Sequence, residues 1–142
     1  MLTPWYVTGF CDGEAAFTYS RSGGTFILYF SVKQREGNSI LVEKIREFFR
    51  FTGSIYKVKQ ATLKRPNKNS GPTTYFRVTK ANELKVIVDH FDKYPLQSKK
   101  QQVYMIWREM VLHKIGNYRS ADYGKMKALA EKLSGLNTTT GN

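Results

Sequence analysis

Acidic residues are scarce in this chain of 142 residues, which has 11 Asp and Glu against 23 Lys and Arg. The formal net charge of +12 predicts a polyanionic partner, with nucleic acid first and an anionic membrane surface second. Cysteine is scarcer still. Cys11 stands alone, so no disulfide can form within the chain and a secreted disulfide scaffold is excluded.

Long apolar runs are also absent, so the sequence predicts no membrane span. With nucleic acid as the preferred polyanion, we expect no membrane partner. The N-terminus lacks the basic region followed by an apolar stretch that marks a secretory signal peptide. The Arg-rich, acid-free pattern of a transit peptide is missing as well. We expect an intracellular protein, and the sequence does not distinguish an organelle (mitochondrion or chloroplast) from a bacterial or archaeal cytoplasm.

Aromatic residues, by contrast, are plentiful, with nine Phe, nine Tyr and two Trp. A chain this rich in large apolar side chains can bury a core, so disorder is not expected over most of its length. The length suits one domain, which we place at residues 1–134. Residues 135–142 form a polar end that is predicted to fray.

Apolar periodicity predicts two β-hairpins alternating with helices. A first helix is capped by Thr3, has Pro4 at its first position and ends near Asp12. The strands are predicted at AAFTYSR, TFILYFSVK, GSIYKVKQ and TTYFRVTK, and the later helices at NSILVEKIREFFR, NELKVIVDHFDKY, SKKQQVYMIWREMVLH and YGKMKALAEKLSG. This order, αββαββα with extra helices after it, predicts an α+β fold in which helices cover one face of a four-stranded antiparallel sheet.

The helix after the first hairpin is predicted to begin at a cap formed by Asn38 or Ser39. Helical spacing places its apolar stripe at Ile40, Leu41, Ile45 and Phe48. The strands of the second hairpin are joined by LKRPNKNSGP, a basic loop with Pro and Gly.

Positive charge is concentrated on the predicted strands. No Asp or Glu occurs from Ala15 to Arg35 or from Phe48 to Asn82, and these two spans hold all four strands. One face of the strands is apolar, while the other carries Thr, Ser, Tyr, Lys and Arg. Such a basic, polar face can enter the major groove of DNA as a β-ribbon. The alternatives are a solvated sheet face, or RNA, although the βαββαβ order of an RRM is not found.

Asp12 and Glu14 lie together at the end of the first helix, next to the basic strands. Carboxylates beside a phosphate partner need a cation, and Mg²⁺ takes one or two carboxylates together with phosphate and water. The spacing equally allows Asp12 to cap a helix or pair with a lysine while Glu14 is merely exposed. His90 and His113 are isolated from each other in the sequence, so they do not indicate a histidine-based nuclease site.

The stretch PWYVTGFCDGEAAF, from Pro4 to Phe17, closely resembles the signature helix of the LAGLIDADG homing endonucleases, in the form GF-x-DGEG-F. The resemblance covers about Leu2 to His113. It implies a curved, saddle-shaped sheet and a site-specific DNA endonuclease. Such an enzyme makes a double-strand break in a long, near-palindromic DNA target by metal-dependent phosphodiester hydrolysis, and has no small-molecule substrate.

The resemblance also implies roles for individual residues. Glu14 matches the catalytic acid that binds metal, and the carbonyl of Gly13 matches the backbone metal ligand, for two or three Mg²⁺ ions shared between two sites. Gln34 is similar to the residue that positions water, and Lys99 or Lys100 to the active-site lysine. Two positions depart from the family pattern: Ala15 replaces a common Gly, and Asn38 stands where another member has a basic residue.

Only one such motif is present, whereas cutting two DNA strands needs two acids, so the resemblance implies a homodimer with a two-fold axis. Gly9 and Gly13 are four residues apart and share one helix face, which would let two helices pack closely. The predicted dimer interface comprises Tyr6, Gly9, Phe10, Asp12 and Gly13. The predicted DNA-binding residues are Thr18, Ser20, Ser22, Thr25, Ile27, Tyr29, Ser31 and Lys33 on the first hairpin, Tyr75, Arg77 and Thr79 on the second, and Lys57 and Lys59 on the third strand, whose polar face is ambiguous.

Two other hypotheses remain open. One is a non-cleaving nucleic-acid binder on the same fold, either an intron RNA maturase or a DNA-binding regulator. A lost acid would be its signature, and Glu14 is present. The other is one half of a two-domain enzyme, which would not homodimerise.

Overall fold

A computed structural model of the chain describes residues 1–59, 72–117 and 120–140. Within these ranges four strands and five α-helices confirm the predicted α+β fold. In chain order they are α1 (Pro4–Glu14), β1 (Ala15–Ser22), β2 (Thr25–Arg35), a 3₁₀ turn (Glu36–Asn38), α2 (Ser39–Phe48), β3 (Ser54–Val58), β4 (Thr73–Val78), α3 (Ala81–Lys93), α4 (Lys100–Gly116) and α5 (Tyr123–Thr140). No helix in the described part of the chain is long and apolar enough to cross a membrane.

The sheet has the order β1-β2-β4-β3, and all neighbouring strands are antiparallel. The two hairpins therefore meet through their second strands, β2 and β4, at the centre of the sheet. Phe30 of β2 lies opposite Phe17 of β1, and Val32 lies opposite Phe76 of β4. All four side chains are fully buried, so this face is the one covered by helices, as the alternation predicts.

The core between sheet and helices is built from aromatic rings. The ring of Phe17 lies with its centroid 5.3 Å from those of Phe30, Phe91 and Tyr104 and 5.2 Å from that of Trp107. Burying a ring of this size is worth about 2–3 kcal/mol relative to leaving it exposed. This cluster joins β1 and β2 to α3 and α4, so the helix layer is fixed relative to the sheet.

Helix α1 begins as the sequence predicts. The Thr3 hydroxyl accepts a hydrogen bond from the backbone N–H of Tyr6 at 3.3 Å, and Pro4 occupies the first helical position, where its missing N–H has no cost. The helix buries Val7, Thr8 and Cys11. The helix ends at Glu14 and β1 begins at the next residue, Ala15, so no loop separates the two elements.

Three details differ from the sequence-based expectations. In α2 the buried residues are Val42, Ile45 and the following Phe49, whereas Ile40 is 66% exposed. Asn38 precedes α2 but forms no capping hydrogen bond. Helix α5 continues to Thr140, so residues 135–140 of the predicted frayed end are helical. The basic loop lies outside the described residues, apart from its last residue, Pro72.

Helix α5 also explains how the edge strand β1 is protected. The Tyr19 hydroxyl lies 2.7 Å from the hydroxyl of Ser134, and the side-chain amide of Asn137 donates to the carbonyl of Phe17 at 3.2 Å. On α4, the Trp107 indole donates to the carbonyl of Thr18 at 3.1 Å. These bonds hold α4 and α5 against β1, so the two helices cover this edge strand and hinder its pairing with another strand.

Candidate active site and nucleic-acid interface

The end of α1 opens into a concave pocket beside the sheet. Glu14, the last residue of the helix, is exposed, and it forms no hydrogen bond or ion pair with any of the described residues. The pocket has a volume of about 450 Å³ and is lined by Glu14, Lys33, Gln34, Arg35, Asn38, Thr73 and Tyr75. The structure therefore brings Glu14 and Gln34 into one cavity and surrounds them with three basic or amide side chains.

Gln34 is held in that pocket by Asn38, one of the two residues predicted as the helix cap and also the one matched to a position where another family member has a basic residue. The side-chain amide of Asn38 donates to Oε1 of Gln34 at 3.1 Å. Asn38 was predicted as a helix cap, and instead its side chain points back to the end of β2. This bond leaves the amide N–H₂ group of Gln34 free to face a ligand or a water molecule in the pocket.

Asp12 differs sharply from Glu14 although it precedes it by only two positions. Its carboxylate accepts from the backbone N–H of Gln97 at 2.7 Å and of Ser98 at 3.1 Å, and also from the Ser98 hydroxyl. Bonds from N–H groups to a carboxylate are among the stronger hydrogen bonds in proteins. Asp12 thus anchors the segment that leads into α4, within its own chain.

The structure also separates Lys99 from Lys100. Lys100 is 5% exposed, and its ammonium donates to the carbonyls of Ala15 at 2.7 Å and Cys11 at 3.4 Å. Burial lowers the pKa of Lys100, and the nearby carboxylates of Asp12 and Glu14 act in the opposite direction. Lys99 is exposed and precedes α4. Of the two candidates, only Lys100 reaches the end of α1.

The donor set at this site suits a hard cation bound partly by a ligand. Among the described residues there is no cluster of three or more His, Cys, Asp or Glu side chains that could hold a metal ion. Glu14 offers one free carboxylate, and Gly13 lies in the last helical turn, where carbonyls lack helical partners. Mg²⁺ ordinarily uses one or two carboxylates, with phosphate and water completing its shell, so the residues fit that ion.

The outer face of the first hairpin has the predicted composition. Thr18 lies opposite Tyr29, Ser20 opposite Ile27, and Ser22 opposite Thr25. All these residues alternate with the buried ones and are exposed or half-buried. Ser31 and Lys33 continue the same face of β2, opposite Arg77 and Tyr75 of β4. The polar residues of three strands therefore form one continuous surface.

Three residues predicted on the polar face of the second hairpin, Lys57, Lys59 and Thr79, lie outside the outer row of the sheet. Lys57 lies opposite Thr74, which is buried on the inner face, and Lys59 follows the end of β3, so neither belongs to the outer row. Lys57 is exposed because β3 is an edge strand. Thr79 lies beyond β4 and lines a small cavity of about 40 Å³ with Leu28, Leu84 and Val111, which places it near the helix layer.

Residues that the sequence analysis missed occupy the outer row instead. On β3 this row consists of Ser54, Tyr56 and Val58, opposite Arg77, Tyr75 and Thr73. Arg35 at the end of β2 lies opposite Thr73 and lines the pocket with Glu14. The sequence of β3 alone does not identify Tyr56, because Ile55 and Tyr56 are adjacent and place apolar side chains on both faces of the strand.

Known proteins of similar sequence include two from fungi. The chain is 31% identical over 120 residues to an uncharacterized 50.9 kDa protein in ND4 intron 1 of Podospora anserina, a match covering 78% of this chain and 24% of that protein. It is 27% identical over 144 residues to a probable intron-encoded endonuclease 2 of Neurospora crassa, covering 96% of this chain and 29% of that protein. The chain spans less than a third of either relative.

Solved structures share the fold. I-SmaMI bound to its uncleaved DNA target in the presence of calcium ions superposes with a TM-score of 0.76 at 24% identity, over 100% of this chain and 50% of that one. The I-SmaMI LAGLIDADG homing endonuclease bound to cleaved DNA gives a TM-score of 0.71 at 27% identity, over 96% of this chain and 43% of that one. The chain therefore spans half of that protein or less.

A sequence profile for the LAGLIDADG endonuclease family matches residues 7–111. The match includes most of α1, both hairpins, α2, α3 and most of α4. Because it extends over well more than half of the sequence, the chain belongs to the LAGLIDADG endonuclease family.

Proposed function

We propose that this protein is a site-specific, Mg²⁺-dependent DNA endonuclease that acts as a homodimer and cuts both strands of a long, near-palindromic target. The observation that carries the proposal is the position of Glu14. Its carboxylate is exposed and unpaired among the described residues, at the point where α1 meets a sheet face without acids. A scissile phosphate brought next to this free carboxylate would be repelled unless a cation lay between them, and a bound metal ion is such a cation.

In this proposal Glu14 and the carbonyl of Gly13 would hold Mg²⁺, which when bound would neutralise charge on the phosphate. Gln34, fixed by Asn38 at 3.1 Å, orients a water molecule in the pocket through its free amide. Lys100 holds the end of α1 through the carbonyls of Cys11 and Ala15 and adds positive charge behind Glu14. Asp12 does not bind metal, because its oxygens are occupied by residues 97–98.

DNA is the substrate favoured by the outer sheet face. Its rows combine hydroxyl groups, tyrosines, Lys33 and Arg77, which can contact both phosphates and base edges. The two acid-free spans noted above supply this face, so no carboxylate repels the backbone of a duplex. The similar structures of I-SmaMI contain DNA, and one relative is named a probable intron-encoded endonuclease; both support the same substrate.

Pairing of two copies is favoured by the outward face of α1. Trp5 and Tyr6 are 56% and 48% exposed, and a side chain added at Gly9 or Gly13 would meet no atom within 4 Å in the chain. Large exposed aromatic residues mark contact surfaces, and glycines allow two helix backbones to approach. Two copies joined there would supply two Glu14 carboxylates, one for each DNA strand. Sedimentation of the DNA complex tests the pairing, and a monomer on DNA would exclude it.

The function is tested by selecting cleaved molecules from a duplex DNA pool with a randomised centre, with and without Mg²⁺. Wild type is expected to cut a defined sequence only with the metal, while Glu14→Gln binds the same sequence and does not cut it. Glu43→Gln, an exposed acid on α2, is the matched control and should cut normally. Unchanged cutting by Glu14→Gln would overturn the proposed role. Selective binding without any cutting by wild type would instead identify a non-cleaving regulator.

A further inference from the structure

Arg77 is held between aromatic rings in the middle of the outer sheet face. Its guanidinium carbon lies 4.1 Å from the ring centroid of Tyr29 on β2 and 5.7 Å from that of Tyr56 on β3. Tyr56 is itself stacked on Tyr75, with centroids 4.9 Å apart and planes 1° from parallel. Cation–π contacts of this kind restrict the guanidinium more than solvent would. Three strands therefore cooperate to fix one side chain.

The hydrogen-bond donors of Arg77 are nevertheless unused. Its guanidinium forms no hydrogen bond or ion pair with any of the described residues, and its Nε is enclosed without a partner. The residues opposite Arg77 on both neighbouring strands are serines, Ser31 and Ser54. Their small side chains leave the outer face of the sheet open on both sides of Arg77. A protein rarely leaves a half-buried guanidinium unpaired. The enclosed Nε is out of a ligand's reach, so the two terminal amino groups of Arg77 are the donors available for a ligand.

A guanidinium with fixed orientation and free donors suits one base edge in particular. In the major groove guanine presents two acceptors, O6 and N7, which arginine contacts with two parallel N–H groups. The planar fork needs a defined orientation to make both bonds, and the tyrosine rings provide it. We propose that Arg77 determines specificity by recognising a guanine in each half of the DNA target. This inference rests on the proposed DNA-cutting function and adds a required base to it.

The position of that guanine follows from the strand. Thr73, which lines the pocket with Glu14, and Arg77 lie on the same face of β4. Four residues of a strand span about 13 Å, which equals about four base steps of a DNA strand. The guanine is therefore expected about four base steps outward from the phosphate that faces Glu14.

Two simpler roles for Arg77 make different predictions. A contact to a phosphate would support binding to all sequences equally, and lysine could replace arginine there. A purely internal role, filling space between Tyr29 and Tyr56, would affect folding and leave base preference unchanged. Only base recognition changes the preference at one position of the target while binding at the others is retained.

The test is a binding selection from the randomised duplex pool in EDTA, so that no molecule is cut, followed by sequencing. Four variants are compared with wild type. Arg77→Gln removes the fork, Arg77→Lys keeps the charge, Tyr29→Leu removes the ring, and Tyr29→Phe restores it. Arg21→Gln is the matched control. The Arg21 guanidinium also lies over a ring, 5.0 Å from the centroid of Phe26, but Arg21 pairs with Phe26 on the inner side of the sheet rather than the outer face that carries Arg77. Thermal melting checks that each variant is folded. If Arg77→Gln does not fold, Arg77→Lys alone tests the loss of guanine preference.

Wild type is expected to select guanine at one position of each half-site. In Arg77→Gln and Arg77→Lys the preference for guanine over the other bases at that position should fall roughly tenfold. Tyr29→Leu should weaken it, while Tyr29→Phe and Arg21→Gln should not. A guanine preference that survives both Arg77 variants, or a uniform loss of binding to all sequences, would overturn the inference and leave the proposed function intact. A wild-type protein that selects no DNA sequence would overturn both.

Discussion

The two faces of α1 are used in opposite ways. The inward face is bonded or packed at every turn: Val7 and Cys11 are fully buried, and Thr8 donates to the carbonyl of Tyr94 at 2.8 Å. The outward face has few partners within the chain, with Tyr6 half exposed and open space at Gly9. One helix of eleven residues thus has an inward face that stabilises the chain and an outward face that the proposed dimer would use.

The same division holds for the two carboxylates at the end of the helix. Asp12 is bonded to residues 97–98, and Glu14 faces the pocket without a partner among the described residues. A substitution on the inward side should therefore lower the free energy of unfolding. One on the outward side should leave the isolated chain folded and impair pairing or cutting. Three changes, taken from the largest expected effect on pairing or stability to the smallest, test this division.

The largest effect is expected from Gly9→Leu. In the chain a new side chain at this position meets no atom within 4 Å, and leucine favours helix over glycine by nearly 1 kcal/mol. The isolated chain should be equally or more stable, whereas the close approach of a second α1 would be blocked. We expect the dimer dissociation constant, measured by analytical ultracentrifugation, to rise about 100-fold or more, equivalent to ~3 kcal/mol.

Gly135→Leu is the matched control, since Gly135 is also an exposed helical glycine with open space around it, but on α5. It should raise helix stability without affecting pairing. If both variants pair like wild type, the outward face of α1 is not the dimer interface. If Gly9→Leu unfolds the chain, the two faces of α1 are not separable.

Asp12→Ala is expected to have the next largest effect, on stability. It removes charge-assisted hydrogen bonds to the backbone N–H groups of Gln97 and Ser98, and leaves those donors without their partner. The loss should lower the free energy of unfolding by about 2 kcal/mol, measured by urea denaturation. Glu14→Ala should change it by less than about 0.5 kcal/mol. Equal losses would mean that Asp12 does not anchor the 97–98 segment.

A smaller effect is expected at His90, through pH. Burial among aromatic rings lowers the pKa of His90 from 6.5 to about 4, and its Nε2 lies 2.9 Å from the Thr8 hydroxyl. Between these two values the unfolded chain takes up a proton that the folded chain does not, so stability falls as the pH falls. The expected loss is about 1 kcal/mol from about pH 7 to about pH 5.5. His90→Gln should remove this part of the pH dependence of unfolding, and a curve unchanged by the substitution would contradict the assignment.

Regular alternation made much of the fold predictable. Phe26, Leu28, Phe30 and Val32 form the inner row of β2 as expected, and the capping of α1 by Thr3 followed from Thr-Pro. Among the site residues, Glu14 and Gln34 were nominated from the family motif and lie in one pocket. These elements were predictable because each depends on a local pattern repeated over many residues.

The remaining details depend on tertiary contacts. Strand β3 has five residues with apolar side chains on both faces, Ile55 and Tyr56, so only its pairing with β4 decides which side faces out. Adjacent residues of a helix point about 100° apart, so the first turn of α4 alone decides that Lys100, rather than Lys99, meets the carbonyl of Ala15. The bond from Asn38 to Gln34 joins the start of α2 to the end of β2, and no periodicity encodes it.

The most direct test of the division between the two acids is single-turnover cleavage of the selected duplex by Asp12→Asn and Glu14→Gln. Each is measured with Mg²⁺ at a temperature where it is fully folded. The variant with the smaller change in stability should show the larger loss of cutting. Glu14→Gln is expected to lose about 10³-fold in cleavage rate, because a bound metal stabilises the transition state by several kcal/mol. Asp12→Asn, although less stable, should cut within about tenfold of wild type. The reverse order of rates, or equal losses, would contradict the account.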